Sequence, residues 1–312
     1  MADRRLQVFH AVAKHLSFTK AAEALFMTQP AVTFQIKQLE EHFNARLFDR
    51  GHGQIELTQA GRLVYDYTER ILGLSNELEA RMKDMTGQLA GPLLVGASMT
   101  IAEYLLPQVL GEFSARYPGI VPRLAVGNSE QVQAQVAEHT LDLGFVESDS
   151  VLPSLVSEVA CEDELVVVCT PSHPLAVRES VVPALLSQHA YISREPGSGT
   201  REVSDNYLMK NGIAPDSLQA AMELGSPEAL KGVVATGRGF AIMSRATVIK
   251  ETRLGLLVGR PLSPRLVRSL SVVYSKQTFY SKRLGTFIGF AKARLAALQS
   301  QDAPSASAGR RA

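Results

Sequence analysis

The sequence predicts a mixed α/β protein in which a helical N-terminal domain with a small β-wing leads through one long helix into a larger domain of alternating strands and helices. Up to Met85 the apolar residues recur at helical spacing with little β-branched clustering, whereas from Gly91 onward short Val/Ile/Leu runs alternate with helical stretches. Between the two textures runs an uninterrupted apolar helical stripe. The 312 residues, at roughly 150 per domain, allow about two domains with cores of their own.

The N-terminal elements read as helices over Arg4–His15, Phe18–Phe26 and Gln29–His42, with Ser17 and Thr28 standing where N-caps belong. The gap between the second and third has helix-turn-helix length. Leu47–Arg50 and Ile55–Leu57 flank the turn-rich Gly51-His52-Gly53-Gln54 and read as a hairpin, so residues 1–58 form a winged helix-turn-helix. From Gln59 to Met85 no proline interrupts a helix on which Ala60, Leu63, Tyr67, Ile71, Leu74, Leu78, Met82 and Met85 are spaced 3, 4, 4, 3, 4, 4 and 3. So long a stripe beside so small a domain calls for a partner helix, which makes residues 59–88 a linker and dimerisation segment. Gly87–Pro92 then stops it.

In the third segment, strands Leu93–Gly96, Val121–Val126 and Leu141–Val146 alternate with helices Ile101–Arg116 and Glu130–Glu138. A second set comprises strands Glu164–Thr170, Ala190–Ser193, Leu218–Leu224 and Gly239–Met243 with helices Thr200–Asn211 and Pro227–Ala235. A late strand, Leu266–Tyr274, and a closing helix, Thr278–Leu298, complete the domain. Alternation of this kind implies parallel pairing with right-handed crossovers. Residues 92–300 are expected to form two lobes, one from 92–163 with 267–300 and the other from 164–266. The Ala/Ser/Gly/Arg-rich tail 301–312 is expected to be disordered.

Composition excludes several classes. With 32 Lys plus Arg against 31 Asp plus Glu, the net charge of +1 provides no broad attraction for nucleic acid or membrane, so any nucleic-acid site is local. Residues 1–58 themselves hold seven basic against six acidic side chains. Cys161 and Cys169 form no metal-binding pair and read as buried hydrophobes, and no metal or cofactor is expected. No apolar run approaches membrane-spanning length and no signal-peptide core follows Arg4-Arg5, so a cytoplasmic location is expected. Gly-x-Ser-x-Gly, Gly-x-Gly-x-x-Gly and Walker signatures are missing, and no His accompanies a nucleophile motif, so no catalytic residue is assigned.

Two constellations carry chemistry. On the third helix Val32, Ile36 and Leu39 point inward, which leaves Gln29, Thr33 and Lys37 at i, i+4 and i+8 outward. Gln pairs with adenine, Thr meets a thymine methyl or phosphate, and Lys reaches guanine or backbone, although spacing alone fits a solvated face equally well. Thr28 presents helix-terminal N–H groups to a phosphate, and Arg50 and Gln54 of the hairpin are placed to grip neighbouring backbone. In the C-terminal domain Ser98-Met99-Thr100, Asn128-Ser129, Gly197-Ser198-Gly199-Thr200-Arg201 and Gly225-Ser226 each precede a helix. Each reads as an ordinary cap or, taken together, as one ring of hydroxyls and N–H groups around a small anion.

The run Ser17-Phe18-Thr19-Lys20-Ala21-Ala22-Glu23-Ala24-Leu25, Thr28-Gln29-Pro30-Ala31-Val32-Thr33, Leu39-Glu40, Leu47-Phe48-Asp49-Arg50 and Leu57-Thr58-Gln59-Ala60-Gly61 closely resembles the N-terminal domain of LysR-type transcriptional regulators. Extended over the whole chain, the resemblance implies a winged helix-turn-helix, a dimerisation helix and a two-lobed effector domain of the periplasmic-binding-protein type (type 2). It implies a non-enzymatic regulator that reads an imperfect palindrome as a homodimer, usually a dimer of dimers, and acts on RNA polymerase at promoters. DNA contact then falls to Thr28, Gln29, Pro30, Thr33, Phe34, Lys37, Arg50 and Gln54, with Phe34 standing where many members carry a basic reader.

The stretches Leu143-Gly144-Phe145-Val146-Glu147, Glu162-Asp163-Glu164-Leu165, Arg194–Arg201 and Glu223-Leu224-Gly225-Ser226 resemble the branch with regulators of Rubisco operons and sulfur assimilation. That branch implies an oxyanion such as sulfite, or a phosphorylated or carboxylated metabolite, held by Ser98, Thr100, Asn128, Ser129, Glu147, Glu195, Gly197, Ser198, Gly199, Thr200, Arg201 and Ser226. Glu147 and Glu195 repel an anion if both face it, so one accepts a ligand proton or pairs with Arg201. An enzyme or a transport solute-binding protein fits the two lobes but leaves the winged domain unexplained.

Overall fold

The computed structural model describes residues 3–51, 54–85, 89–218, 220–276 and 279–302, and the side chains of most of them. The chain divides into two compact units, Met1–Gly87 and Gln88–Ala312.

The first unit holds α1 (Arg4–His15), α2 (Phe18–Ala24), α3 (Gln29–Phe43), β1 (Phe48–Gly51), β2 (Gln54–Leu57) and α4 (Gln59–Met85). Ser17 caps α2 by accepting from Lys20 N, while Thr28 occupies the cap of α3 without a side-chain bond. The second helix ends at Ala24, short of the expected Phe26, because Phe26 takes φ +52° and turns the chain. Val8, Phe9, Val12, Phe18, Val32, Ile36, Leu39 and Phe48 form the core. Two side chains tie the wing to the helices. The Glu40 carboxylate accepts from Leu47 N at 2.7 Å and Phe48 N at 3.3 Å. Thr58 donates to Arg46 O and accepts from Gly61 N, capping α4. At Gly61 a Cβ would sit 2.1 Å from Leu47 O, which explains a glycine in the first turn of a long helix. The α4 stripe from Leu63 to Met85 is left between 42% and 81% exposed.

The second unit is built on a six-stranded mixed sheet ordered β4-β3-β5-β10-β6-β9, with β3 (Gly91–Ser98), β4 (Ile120–Gly127), β5 (Leu143–Val146), β6 (Leu155–Cys169), β9 (Ala241–Ser244) and β10 (Val258–Ser275). A separate parallel pair joins β7 (Tyr191–Arg194) and β8 (Ala220–Leu224). The helices are α5 (Met99–Tyr104), α6 (Leu106–Arg116), α7 (Ser129–Ala137), α8 (Gly199–Lys210), α9 (Pro227–Ala235), α10 (Ile249–Arg253) and α11 (Lys282–Asp302).

The expected all-parallel pairing is corrected. β3 runs parallel to β4 and β5, but β10 is antiparallel to β5 and β6, and β9 is antiparallel to β6. The reason is that β6 and β10 are far longer than their apolar runs and pass side by side from one lobe to the other. Their extensions are masked by Glu158, Glu162 and Asp163 on β6 and by Pro261 and Pro264 on β10, residues that read as non-strand. Alternation along them divides the cores. Leu165, Val167 and Cys169 enter one cluster with Leu208 and Phe240, while Val166 and Val168 enter another with Leu230 and Val234. The N-terminal end of β6 supplies Ala160 and Cys161 to the first lobe, beside Phe113, Phe145 and Phe287.

The helix expected over Ile101–Arg116 is two helices hinged at Leu105, because Pro107 has no N–H for the Glu103 carbonyl and crowds it. The closing helix begins at Lys282 and continues to Asp302, two residues into the predicted tail; Thr278 and residues 303–312 lie outside the described residues. No described helix is long and apolar enough to cross a membrane.

Gly61→Ala is expected to cost about 3 kcal/mol of N-terminal stability, since the close contact is with backbone that cannot swing aside. Circular dichroism through a urea titration measures it, and an unchanged midpoint refutes the close-approach account.

Candidate functional sites

On α3 the inward residues Val32, Ile36 and Leu39 are buried, while Thr28, Gln29, Pro30, Phe34 and Lys37 are exposed and Thr33 is half-buried. Thr33 donates back to Gln29 O at 3.0 Å, and Lys37 lies 3.7 Å from Glu41. Thr28 makes no side-chain cap, so the first N–H groups of α3 face outward unoccupied by its hydroxyl. Arg50 and Gln54 lie on the hairpin strands at adjoining register, and their side chains are outside the described residues, as are His52 and Gly53.

In the second unit Ser98, Glu147 and Thr200, of the predicted cleft residues, meet around a buried charge that sequence reasoning missed. β10 faces β6 in a register that sets Arg268 directly opposite Asp163. Arg268 is fully buried; its Nε donates to Asp163 Oδ2 at 2.9 Å, and Nη1 donates to Thr200 Oγ1 at 2.9 Å. Thr200 in turn donates to Glu147 Oε1 at 3.1 Å, Ser98 donates to Glu147 Oε2, and Ser244 donates to Asp163 Oδ1 at 2.7 Å. Glu147 lies 3.6 Å from Arg268. A period-two pattern was the available signal: Leu266, Arg268 and Leu270 share the buried phase of β10, so Arg268 is a cation in an inward register.

The anticipated pairing of a glutamate with Arg201 is not formed. Glu147 lies 3.6 Å from Arg268 and accepts from the two hydroxyls, and Glu195 pairs with Arg194 at 2.8 Å. Arg201 binds neither; it is committed to Glu223 at 2.5 Å, to the Arg194 carbonyl at 3.0 Å and to Asp205 at 3.6 Å.

The four helix starts divide. Asn128 forms a full capping box with Gln131, and Ser226 accepts from Ala229 N, so these two act as caps. Ser98 and Ser198 make no cap bond. Ser129 is buried, with its Oγ 3.5 Å from Glu147 N. Gly197 and Gly199 press the start of α8 against the first lobe: a Cβ on Gly199 would lie 2.7 Å from both Glu147 Cγ and Ser129 Oγ. Across the same seam Glu130 N donates to Gly197 O at 3.3 Å and Asn128 Nδ2 to Pro196 O at 3.4 Å.

Beside this network a narrow pocket lies between Thr100 of the first lobe and Arg194, Thr200, Leu230, Ser244 and Thr247 of the second. Arg194 and Thr247 were not anticipated from the sequence. Nearby, Ser198 Oγ is buried without a hydrogen-bond partner among the described residues, and Arg268 Nη2 lies 2.8 Å from Asp163 Oδ2. Tyr104 of α5 donates to Glu228 of α9, and Lys231 binds Glu228 at 2.8 Å and Glu251 at 2.6 Å. Lys231 and then Tyr104 hold Glu228 below the usual carboxylate range, while burial and the Glu228 charge push Glu103 up. Burial raises the Cys161 thiol to about 12 and Cys169 to about 11, so both stay protonated, as buried hydrophobes do. Among the described residues no acidic, His or Cys cluster could hold a metal.

Residues 4–62 match the bacterial regulatory helix-turn-helix of the lysR family, and residues 86–296 match the LysR substrate binding domain. The chain belongs to the LysR family of transcriptional regulators. Such regulators bind DNA and are not enzymes. A relative named "Probable RuBisCO transcriptional regulator" from Cyanidioschyzon merolae is 34% identical over 287 residues, covering 91% of this chain and 95% of its own. The regulatory domain of CcmR from Synechocystis PCC6803, solved in complex with 2-PG, is 30% identical with a TM-score of 0.59, covering 65% of this chain and 97% of its own. Full-length CbnR complexed with its target DNA shares the LysR fold at 20% identity and a TM-score of 0.63, covering 94% of this chain and 100% of its own.

Arg268→Met leaves Glu147 and Asp163 buried with hydroxyl partners alone and is expected to cost roughly 3–5 kcal/mol. Far-ultraviolet circular dichroism is the readout, since the chain has no Trp; a loss below about 1 kcal/mol would contradict a charge on which the lobes depend.

Proposed function

We propose that this LysR regulator controls carbon-fixation genes in response to a small phosphorylated or carboxylated anion held between its lobes. The pocket carries the reading. Hydroxyls of Thr100, Thr200, Ser244 and Thr247 and the guanidinium of Arg194 line it together with Leu230, Ile242 and Met243, next to the uncapped start of α8 and the unpartnered Ser198 Oγ. The uncapped helix start, the Ser198 hydroxyl and the Arg194 guanidinium, which an anion would share with Glu195, favour an oxyanion. The pocket has little free space as it stands, so a ligand of few atoms that opens the seam as it binds suits it better than a larger one. The 2-PG bound by the CcmR regulatory domain and the names of the RuBisCO relatives support the chemical class. A sulfite-like oxyanion is the competing ligand.

Contacts already spanning the lobes, such as Tyr104 to Glu228 and Glu130 to Gly197, hold a closed arrangement, and an anion would shift it only through bonds it makes better in one arrangement. In this reading α3 enters the major groove of an imperfect palindrome and the exposed α4 stripe pairs with a second copy, giving a homodimer and then a dimer of dimers. The regulator works in the cytoplasm, where it meets RNA polymerase at promoters.

Thermal shift against 2-PG, inorganic phosphate, sulfite and sulfate is expected to give one selective stabiliser, worth about 2.7 kcal/mol at 100 times its dissociation constant. Arg194→Met should abolish the shift while Arg201→Met retains it; the reverse pattern would move the site to Arg201. Silence from every anion would remove the anion reading. For DNA, Gln29→Ala combined with Thr33→Ala should weaken binding to a selected duplex by at least tenfold more than to a scrambled one, roughly 1–3 kcal/mol per lost base contact. Equal losses on both duplexes would sink the recognition-helix assignment.

A further inference from the structure

The outward face of α3 is not centred on Gln29 and Thr33. At 100° per residue, the buried Val32, Ile36 and Leu39 define an inward direction, and Phe34 lies roughly 165° away from it, at the crest of the exposed face. Pro30 stands one turn before it on the same crest, Lys37 and Glu41 follow, and Gln29 and Thr33 run along one flank. Phe34 is 57% exposed although it is a large apolar side chain in the middle of a well-packed domain. The C-terminal half of the crest is closed by the Lys37–Glu41 ion pair, and its carboxylate disfavours approach to phosphates. The N-terminal half, the part of a recognition helix that reaches base edges, therefore presents only Pro30 and Phe34 at its summit.

An exposed phenyl ring offers a base edge no hydrogen bond. In the major groove the complementary apolar group is the C5-methyl of thymine, and every other edge there is a donor or acceptor that Phe34 would desolvate without replacing its water. We propose that Phe34 is a specificity-determining residue that reads the C5-methyl of a pyrimidine in each half-site, so that the chain selects thymine at that position and rejects guanine. The inference rests on α3 being the DNA-reading helix. It predicts recognition of a methyl group rather than of a hydrogen-bond pattern, so deoxyuridine should fail where thymidine succeeds, and 5-methylcytosine should outperform cytosine.

The test uses the full-length chain with duplexes that it selects from a random pool, resynthesised with one thymidine at a time replaced by deoxyuridine. One position per half-site should lose about fourfold in affinity, the equivalent of ~0.8 kcal/mol for one methyl group, and Phe34→Ala should bind the thymidine and deoxyuridine duplexes equally. At the same position 5-methylcytosine should recover binding relative to cytosine in the parent chain and not in Phe34→Ala. A flat deoxyuridine scan, or a penalty that survives in Phe34→Ala, overturns the proposal. The Gln29→Ala, Thr33→Ala double variant separates the two layers. If it still discriminates the selected from a scrambled duplex as the parent does, the helix itself is misassigned and the proposal falls with it; if it loses discrimination while the scan is flat, the role of Phe34 alone is refuted.

Discussion

A fully buried guanidinium where two long strands cross is the constraint on which the C-terminal unit depends. Arg268 cannot be left unpaired in a low-dielectric interior, so β10 must keep the register that puts it opposite Asp163, and Glu147 and Thr200 must come to its other side. Those partners belong to different lobes. The first lobe supplies Glu147 and Ser98, and the second supplies Thr200 at the start of α8 and Ser244 at the end of β9. One cation thereby fixes strand register and the spacing of the lobes together. Glu147 is spent in this pairing, so the pocket beside it is lined by hydroxyls, Arg194 and apolar side chains such as Leu230 and Ile242 instead of by an open carboxylate.

The helix starts around that centre look alike in sequence and behave differently in the fold. Asn128 and Ser226 satisfy the N–H groups of their own helices, as isolated caps do. Ser98 is drawn away to Glu147, and Ser198 is buried without a partner, because Gly197 and Gly199 bring the α8 start against the first lobe more closely than any side chain would permit. Close approach removes the solvent that would otherwise satisfy these donors. The result is a buried Ser198 hydroxyl without a partner among the described residues, beside a helix start that no side chain caps.

The N-terminal unit solves a different problem, holding a short helix pair and a small hairpin rigid with little area to bury. Phe9, Phe18 and Phe48 meet with ring centroids 5.3 and 5.8 Å apart, and the Glu40 and Thr58 bonds lock α3, the wing and α4 to each other. Because these constraints lie on the inward side of α3, its outer face is free to vary without loss of the fold. An exposed Phe34 is tolerated there for that reason.

Much of the architecture was legible in the sequence because it is local. Helical spacing over Gln59–Met85 defined α4 residue for residue, and the Ser17 cap and the apolar triplet of α3 followed from side chains within a few positions of one another. The hydroxyl and glycine residues that gather at the lobe seam were visible too, since helix starts have local signatures. What tertiary structure alone decided was pairing between distant segments: the antiparallel crossing of β6 and β10, the commitment of Arg201 to Glu223, and the meeting of Arg268 with Asp163 and Glu147. Local patterns encode which face of an element is buried. They do not encode which buried charge will lie opposite it, because that depends on strand register and on the desolvation cost of every alternative partner.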